Sequence, residues 1–124
     1  MVNEAKIADH LAHHGFQALP IGLQPVTTQV ALMREADAVF ASLGASLAGL
    51  IYAPDGVSVI CAAPQGFSDR FFYALVQAAG GRYAELWGEI TQADARYPRH
   101  SHCRLAWPRL SAAVANLGKQ EVLF

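Results

Sequence analysis

Ser42-Leu43-Gly44-Ala45-Ser46 is the stretch of this chain best suited to anion chemistry. Gly44 and Ala45 allow close approach to the backbone, and Ser42 and Ser46 add hydroxyl donors. Where a strand hands over to a helix, such a turn presents unpaired N–H groups and a partial positive charge, which together can hold a phosphate. Full G-x-G-x-x-G or Walker spacing is absent. Small residues here equally serve tight helix-to-sheet packing, so both readings stay open on the residues alone.

Other reactive side chains fall into weaker patterns. His10 and His14 stand at i, i+4 with His13 beside them, but they lie on the polar complement of an apolar face and no H-E-x-x-H pattern accompanies them, so no metal is expected. His100, His102 and Cys103 share a polar loop with Arg96, Arg99 and Arg104, whose charges would repel a cation and suit an anion better, although a solvated loop without a site is the preferred reading. Ser68 or Asp69 reads as a helix cap. Trp87 ends a strand and is a candidate for stacking on a base, or for core or subunit contact. Cys61 and Cys103 match no zinc or redox spacing and read as buried free thiols.

The elements that must position these groups alternate. Residues 3–14 read as a helix with Ile7, Ala8, Leu11 and Ala12 on one face, ended at Gly15. Residues 16–21 read as a strand, and a helix opens near Pro25 with Val26, Val30 and Met33 as its inner stripe. Residues 37–42 form the next strand and 44–52 a helix rich in small residues, closed by Pro54-Asp55-Gly56. Residues 57–62 are almost wholly apolar, as a central strand covered on both faces requires. Phe67, Phe71, Phe72, Leu75, Val76 and Ala79 mark a helix stopped at Gly80-Gly81, before a strand over 83–87. After the polar loop, a short extended stretch leads to a last helix over 107–117, capped by Gly118. Short connections between alternating elements dictate a Rossmann-like α/β fold, a mostly parallel sheet of about four strands with about five helices. Ligands then belong at the carboxyl ends of strands, just after Ser42, Ala62 and Trp87.

Composition narrows the function classes. The 124 residues, 53% hydrophobic, suit one domain. A net charge of -1 and a charged fraction of 15% leave no field for a nucleic-acid backbone. The longest apolar stretch, over 39–53, is broken by Ser42, Gly44, Ser46 and Gly49 and is too short to cross a bilayer of about 30 Å, so no membrane span is expected. The N-terminus lacks the order of a secretory signal, which makes a cytoplasmic location the expectation.

The run from Glu35 to Gly56, with its alanine-led strand, Leu43-Gly44-Ala45-x-Leu47-x-Gly49 turn and helix, and Tyr52-x-Pro54-x-Gly56 turn, leads into Val59-Ile60-Cys61. It resembles glycosyltransferase family 61, which includes capsular polysaccharide biosynthesis proteins. That family carries a His-Gly-Ala-x-Leu-x-Asn turn, an aromatic-x-Pro-x-Gly turn and a Val-Ile-Glu strand in this order. Gly15-Phe16 followed by a proline, Gln29, Phe71, Gly80 and Tyr83 extend the resemblance over residues 5 to 117. The departures are polar: the family histidine is Leu43, its asparagine is Gly49, and its strand acid is Cys61.

The resemblance implies one half of a GT-B fold, the donor-binding half of a polysaccharide glycosyltransferase. The implied ligand is a nucleotide-diphosphate sugar held near Ser42, Leu43, Gly44, Ala45 and Ser46, with Gly49 and Cys61 at the altered family positions. No tightly bound cofactor is implied. The N-terminal half would be a separate, missing partner, without which no transfer is expected. Loss of polarity at Leu43, Gly49 and Cys61 supports the alternative of a non-catalytic binding or assembly module. With a mean hydropathy of +0.22, an excised half would expose its interdomain face. A homodimer is therefore expected, through the strand at 16–21 or the last helix with Trp107, Leu110, Val114 and Leu117. Domain boundaries are placed at 1–118. Residues 119–124, with Gln120-Glu121-Val122-Leu123-Phe124 similar to part of a viral 3C-type protease recognition stretch, read as a tag remnant outside the fold.

Overall fold

The computed structural model describes residues 1–68, 70–97, 101–115 and 122–123, with side chains at 45, 46, 122 and 123 left aside. Helices α1 (Glu4–Ala12), α2 (Val26–Glu35), α3 (Arg70–Ala78) and α4 (Trp107–Ala115) alternate with strands β1 (Phe16–Gln17), β2 (Ala38–Ser42), β3 (Ser58–Pro64), β4 (Arg82–Gln92) and β5 (His102–Arg104), and β6 (Val122–Leu123) follows. The sheet order is β1-β6-β2-β3-β4-β5. Every pairing is parallel except that of β4 with β5. The fold is therefore α/β with a mostly parallel sheet.

β3 is buried at every position and lies between β2 and β4, as its almost wholly apolar run requires. Alternate residues feed two cores. Phe40, Ile60 and Ala62 meet Ile7 and Leu11 of α1 and Leu110 and Val114 of α4 on one face. Val39, Val59 and Cys61 meet Met33 of α2, Leu47 and Leu50, and Phe72 and Val76 of α3 on the other. Phe40 is fully buried, so truncating it to alanine would cost about 3–5 kcal/mol. Asn3 ties the start of α1 to the chain beyond β5, donating from Nδ2 to the Leu105 carbonyl at 3.1 Å and accepting the Leu105 N–H at 3.3 Å.

Several elements differ from expectation for local reasons. The first strand ends at Gln17, and Ile21–Leu23 forms a 3₁₀ turn, because Pro20 has no N–H to give a ladder. The helix over 44–52 is a 3₁₀ helix, Ala45–Tyr52. Val26, assigned to the inner stripe of α2, is 73% exposed, since it lies in the first turn beyond the buried end at Met33. Phe71 likewise turns outward, leaving Phe72 and Val76 as the buried pair of α3. β4 runs five residues beyond Trp87, to Gln92, and β5 pairs with its far end.

The α4 stripe expected to mediate self-association is already used within the chain: Leu110 and Val114 are buried in the first core, and only Trp107 of the described residues among them is exposed. Leu117 and Gly118 lie outside the described residues. Val122 and Leu123, set aside above as a tail, pair through their backbone with both β1 and β2. Main-chain pairing needs no particular side chain, so a segment without a patterned signal can still supply a strand.

Candidate functional site: the turn after β2 and the Glu85 cluster

Ser42 closes β2, is exposed, and stands in register with Ala62 of the central strand. The Leu43 N–H continues that pairing, donating to the Ala62 carbonyl at 2.8 Å, while its half-buried side chain packs on the second core. That N–H is committed to the sheet. Gly44 then takes an extended backbone (φ 168, ψ -175), and among the described residues a Cβ there would meet only the Ser42 carbonyl oxygen, at 4.0 Å. In the 3₁₀ helix that follows, Leu47 donates to the Gly44 carbonyl at 3.1 Å. The N–H groups of Ala45 and Ser46 thus precede the helical ladder, the position at which helix ends receive anions.

Gly49 and Cys61 are placed differently. A Cβ on Gly49 would stand 3.2 Å from Met33 Cγ and 3.3 Å from its Cε, so this glycine lets the 3₁₀ helix close on α2. Cys61 is fully buried on β3 between Ala41 and Glu85. It bears on Tyr83, whose hydroxyl is held protonated well above its ordinary range by burial first, then by Cys61 and Glu85. Ser42 and Gly44 are therefore the exposed described positions of this turn, whereas Gly49 and Cys61 sit in the packing behind it.

Sequence reasoning missed Glu85. β4 places Tyr83, Glu85 and Trp87 at alternate positions, hence on one face. The Glu85 carboxylate accepts from Trp87 Nε1 at 2.6 Å through Oε1, and from Ser68 Oγ at 3.2 Å and the Tyr83 hydroxyl at 3.4 Å through Oε2. Ser68, read as a helix cap, so turns its hydroxyl to Glu85; Asp69 lies outside the described residues. Trp87 is 41% exposed, neither core nor free of a partner. A hollow of about 420 Å³ opens beside the carboxylate, lined by Ser68, Arg70, Tyr73, Tyr83 and Glu85. The available signal was the period of two in Tyr-x-Glu-x-Trp, read above only for its strand.

The histidine and cysteine clusters hold no metal set: no group of three His, Cys, Asp or Glu is so arranged among the described residues. The His10 ring lies 4.5 Å from that of Trp107 and 4.7 Å from that of His14. Its Nε2 is buried without a hydrogen-bond partner among the described residues. Burial, then His14 and His13, push its pKa below 6.5. Lys6, His10, His13, Arg104 and Trp107 border a hollow of about 970 Å³ against the first core, away from the turn. Cys103 is buried, which pushes its thiol up. Of the loop arginines, Arg96 donates its backbone N–H to Asp94 at 3.0 Å; Arg99 and His100 lie outside the described residues.

Fold and site together define an α/β domain with a mostly parallel sheet and a small-residue turn at the carboxyl end of a strand, where such sheets receive ligands. Residues 1–60 match the family model of glycosyltransferase 61, supporting kinship with that family of transferases. The matched segment contains α1 to β2, the whole Ser42–Ser46 turn and the 3₁₀ helix, and stops one residue before Cys61. No curated protein and no solved structure matches the chain. No helix of the described residues is long and apolar enough to cross a membrane.

Proposed function

We propose that this chain is the donor-binding half of a glycosyltransferase of polysaccharide biosynthesis, with the diphosphate of a nucleotide-sugar held at Ser42–Ser46. The observation that carries the reading is the family match, which takes in this turn entire. The unladdered N–H groups of Ala45 and Ser46, with the exposed Ser42 hydroxyl, offer donors to phosphate oxygens, and hydrogen bonds to charged acceptors are worth about 1.5–3 kcal/mol each. Leu43, Gly49 and Cys61 support the turn from behind. Transfer itself would need a second half carrying the acceptor-side groups.

A second reading, a non-catalytic binding or assembly module, is favoured by the fate of those three positions: the Leu43 N–H belongs to the sheet, Gly49 packs on Met33 and Cys61 is sealed in the core. Titration with uridine and guanosine diphosphates, followed by amide chemical shifts, separates the two. Saturable shifts confined to residues 42–49 are expected of the donor half. Silence at millimolar nucleotide would leave the assembly module.

A further inference from the structure

We infer that the hollow beside Glu85 is a subsite for a neutral, hydroxyl-rich ligand, a pyranose ring, bound through the Glu85 carboxylate. The carboxylate is oriented by one short bond, from the Trp87 indole at 2.6 Å. Its second oxygen is served by two hydroxyls at 3.2 and 3.4 Å, longer than the 2.5–3.0 Å of a well-made O–H···O bond. Oε2 is thus under-served, and a ligand hydroxyl at better distance would replace one of these donors. The displaced hydroxyl, on Ser68 or Tyr83, would then be free to reach the same ligand, because each can donate and accept.

The surrounding groups decide what kind of ligand fits. Tyr73 and Tyr83 meet edge to face at 5.9 Å in the wall, and Trp87 stands exposed nearby, an aromatic surface on which the C–H face of a sugar can rest. A carboxylate among aromatic rings would also suit an alkylammonium ion, but Arg70 lines the same hollow and opposes a cation. Glu85 in turn opposes an anion. Among the described residues of the wall, opposed fixed charges with two hydroxyls and aromatic rings select a neutral ligand with several hydroxyls. Choosing a sugar among such ligands rests on the glycosyltransferase reading.

The Trp87 indole N–H is a built-in reporter, distinguished from that of Trp107 by a Trp107→Phe variant. The chain would be titrated separately with methyl glucoside, galactoside, xyloside and N-acetylglucosaminide, and with choline. At least one pyranoside should shift the Trp87 indole signal saturably, together with amides near Ser68 and Arg70. Glu85→Gln should weaken that binding by about tenfold or more, as loss of a charged acceptor implies. If Glu85→Gln does not fold, Trp87→Phe, which removes the bond that orients the carboxylate, should weaken binding as read at the Ser68 and Arg70 amides. No shift with any pyranoside, a response to choline alone, or undiminished binding in a folded Glu85→Gln would overturn the inference. Nucleoside diphosphate shifts at residues 42–46 report on the donor-half reading separately: pyranoside binding without them would sink that reading alone, and the converse would sink this one.

Discussion

Gly44→Val probes whether the turn after β2 is there for a ligand or for packing. The backbone at Gly44 is extended, so a β-branched residue meets no conformational strain. Among the described residues a Cβ would find only the Ser42 carbonyl oxygen, at 4.0 Å. Restricting the unfolded chain by replacing glycine stabilises by about 0.4–1 kcal/mol, and modest crowding from the two methyl groups acts against this. The net change should stay within about 0.5 kcal/mol, or about 2 °C in Tm for a domain of this size. Binding should respond quite differently. The isopropyl group would crowd the turn whose Ala45 and Ser46 N–H groups are the proposed donors, and loss of a single charge-assisted bond lowers affinity about tenfold. Thermal melting and nucleoside diphosphate titration of the same preparation give both numbers. A fall of about 8 °C in Tm, or equal losses in stability and affinity, would show that Gly44 serves packing and would remove the proposed site.

Three further outcomes are expected. Gly81→Ala should destabilise by about 1–3 kcal/mol in urea denaturation, because its Cβ would be driven into the Val57 carbonyl and within 2.9 Å of Val76 Cγ1; an unchanged midpoint would refute the close approach of the turn between α3 and β4 to Val57. His10 has a folded pKa held below its ordinary 6.5, so the unfolded chain takes up the proton first and stability should fall as pH drops below about 6.5 towards the folded value. His10→Phe, which keeps a ring on Trp107, should flatten that pH dependence of the urea midpoint, and an identical slope would remove His10 as its source. Exposed Leu23, Val26, Ile51 and Tyr52 make the α2 side the better candidate for self-association than α4, so sedimentation should show a dimer that Ile51→Glu weakens, and a monomer of 13.3 kDa at every concentration would exclude it.

The sequence by itself determined the alternation and the middle of the sheet. An apolar run such as Ser58–Pro64 can bury both faces only between helical layers, and Gly15, Gly56 and Gly80, all at positive φ, end their elements where the backbone needs a residue without a side chain. It also marked the turn after β2, since small residues between a strand and a helix are local signals. Tertiary structure alone decided which polar atoms meet. Glu85 gathers Ser68 from 17 positions away, and only the parallel register of β3 with β4 sets Glu85 beside Cys61. The same holds for burial: Val26 and Phe71 fit the helical period of their neighbours, yet face water, because period fixes a stripe and only the position of the opposing sheet fixes how far along it burial extends. Local residue types set the backbone's choices, while long-range pairing selected the atoms left to do chemistry.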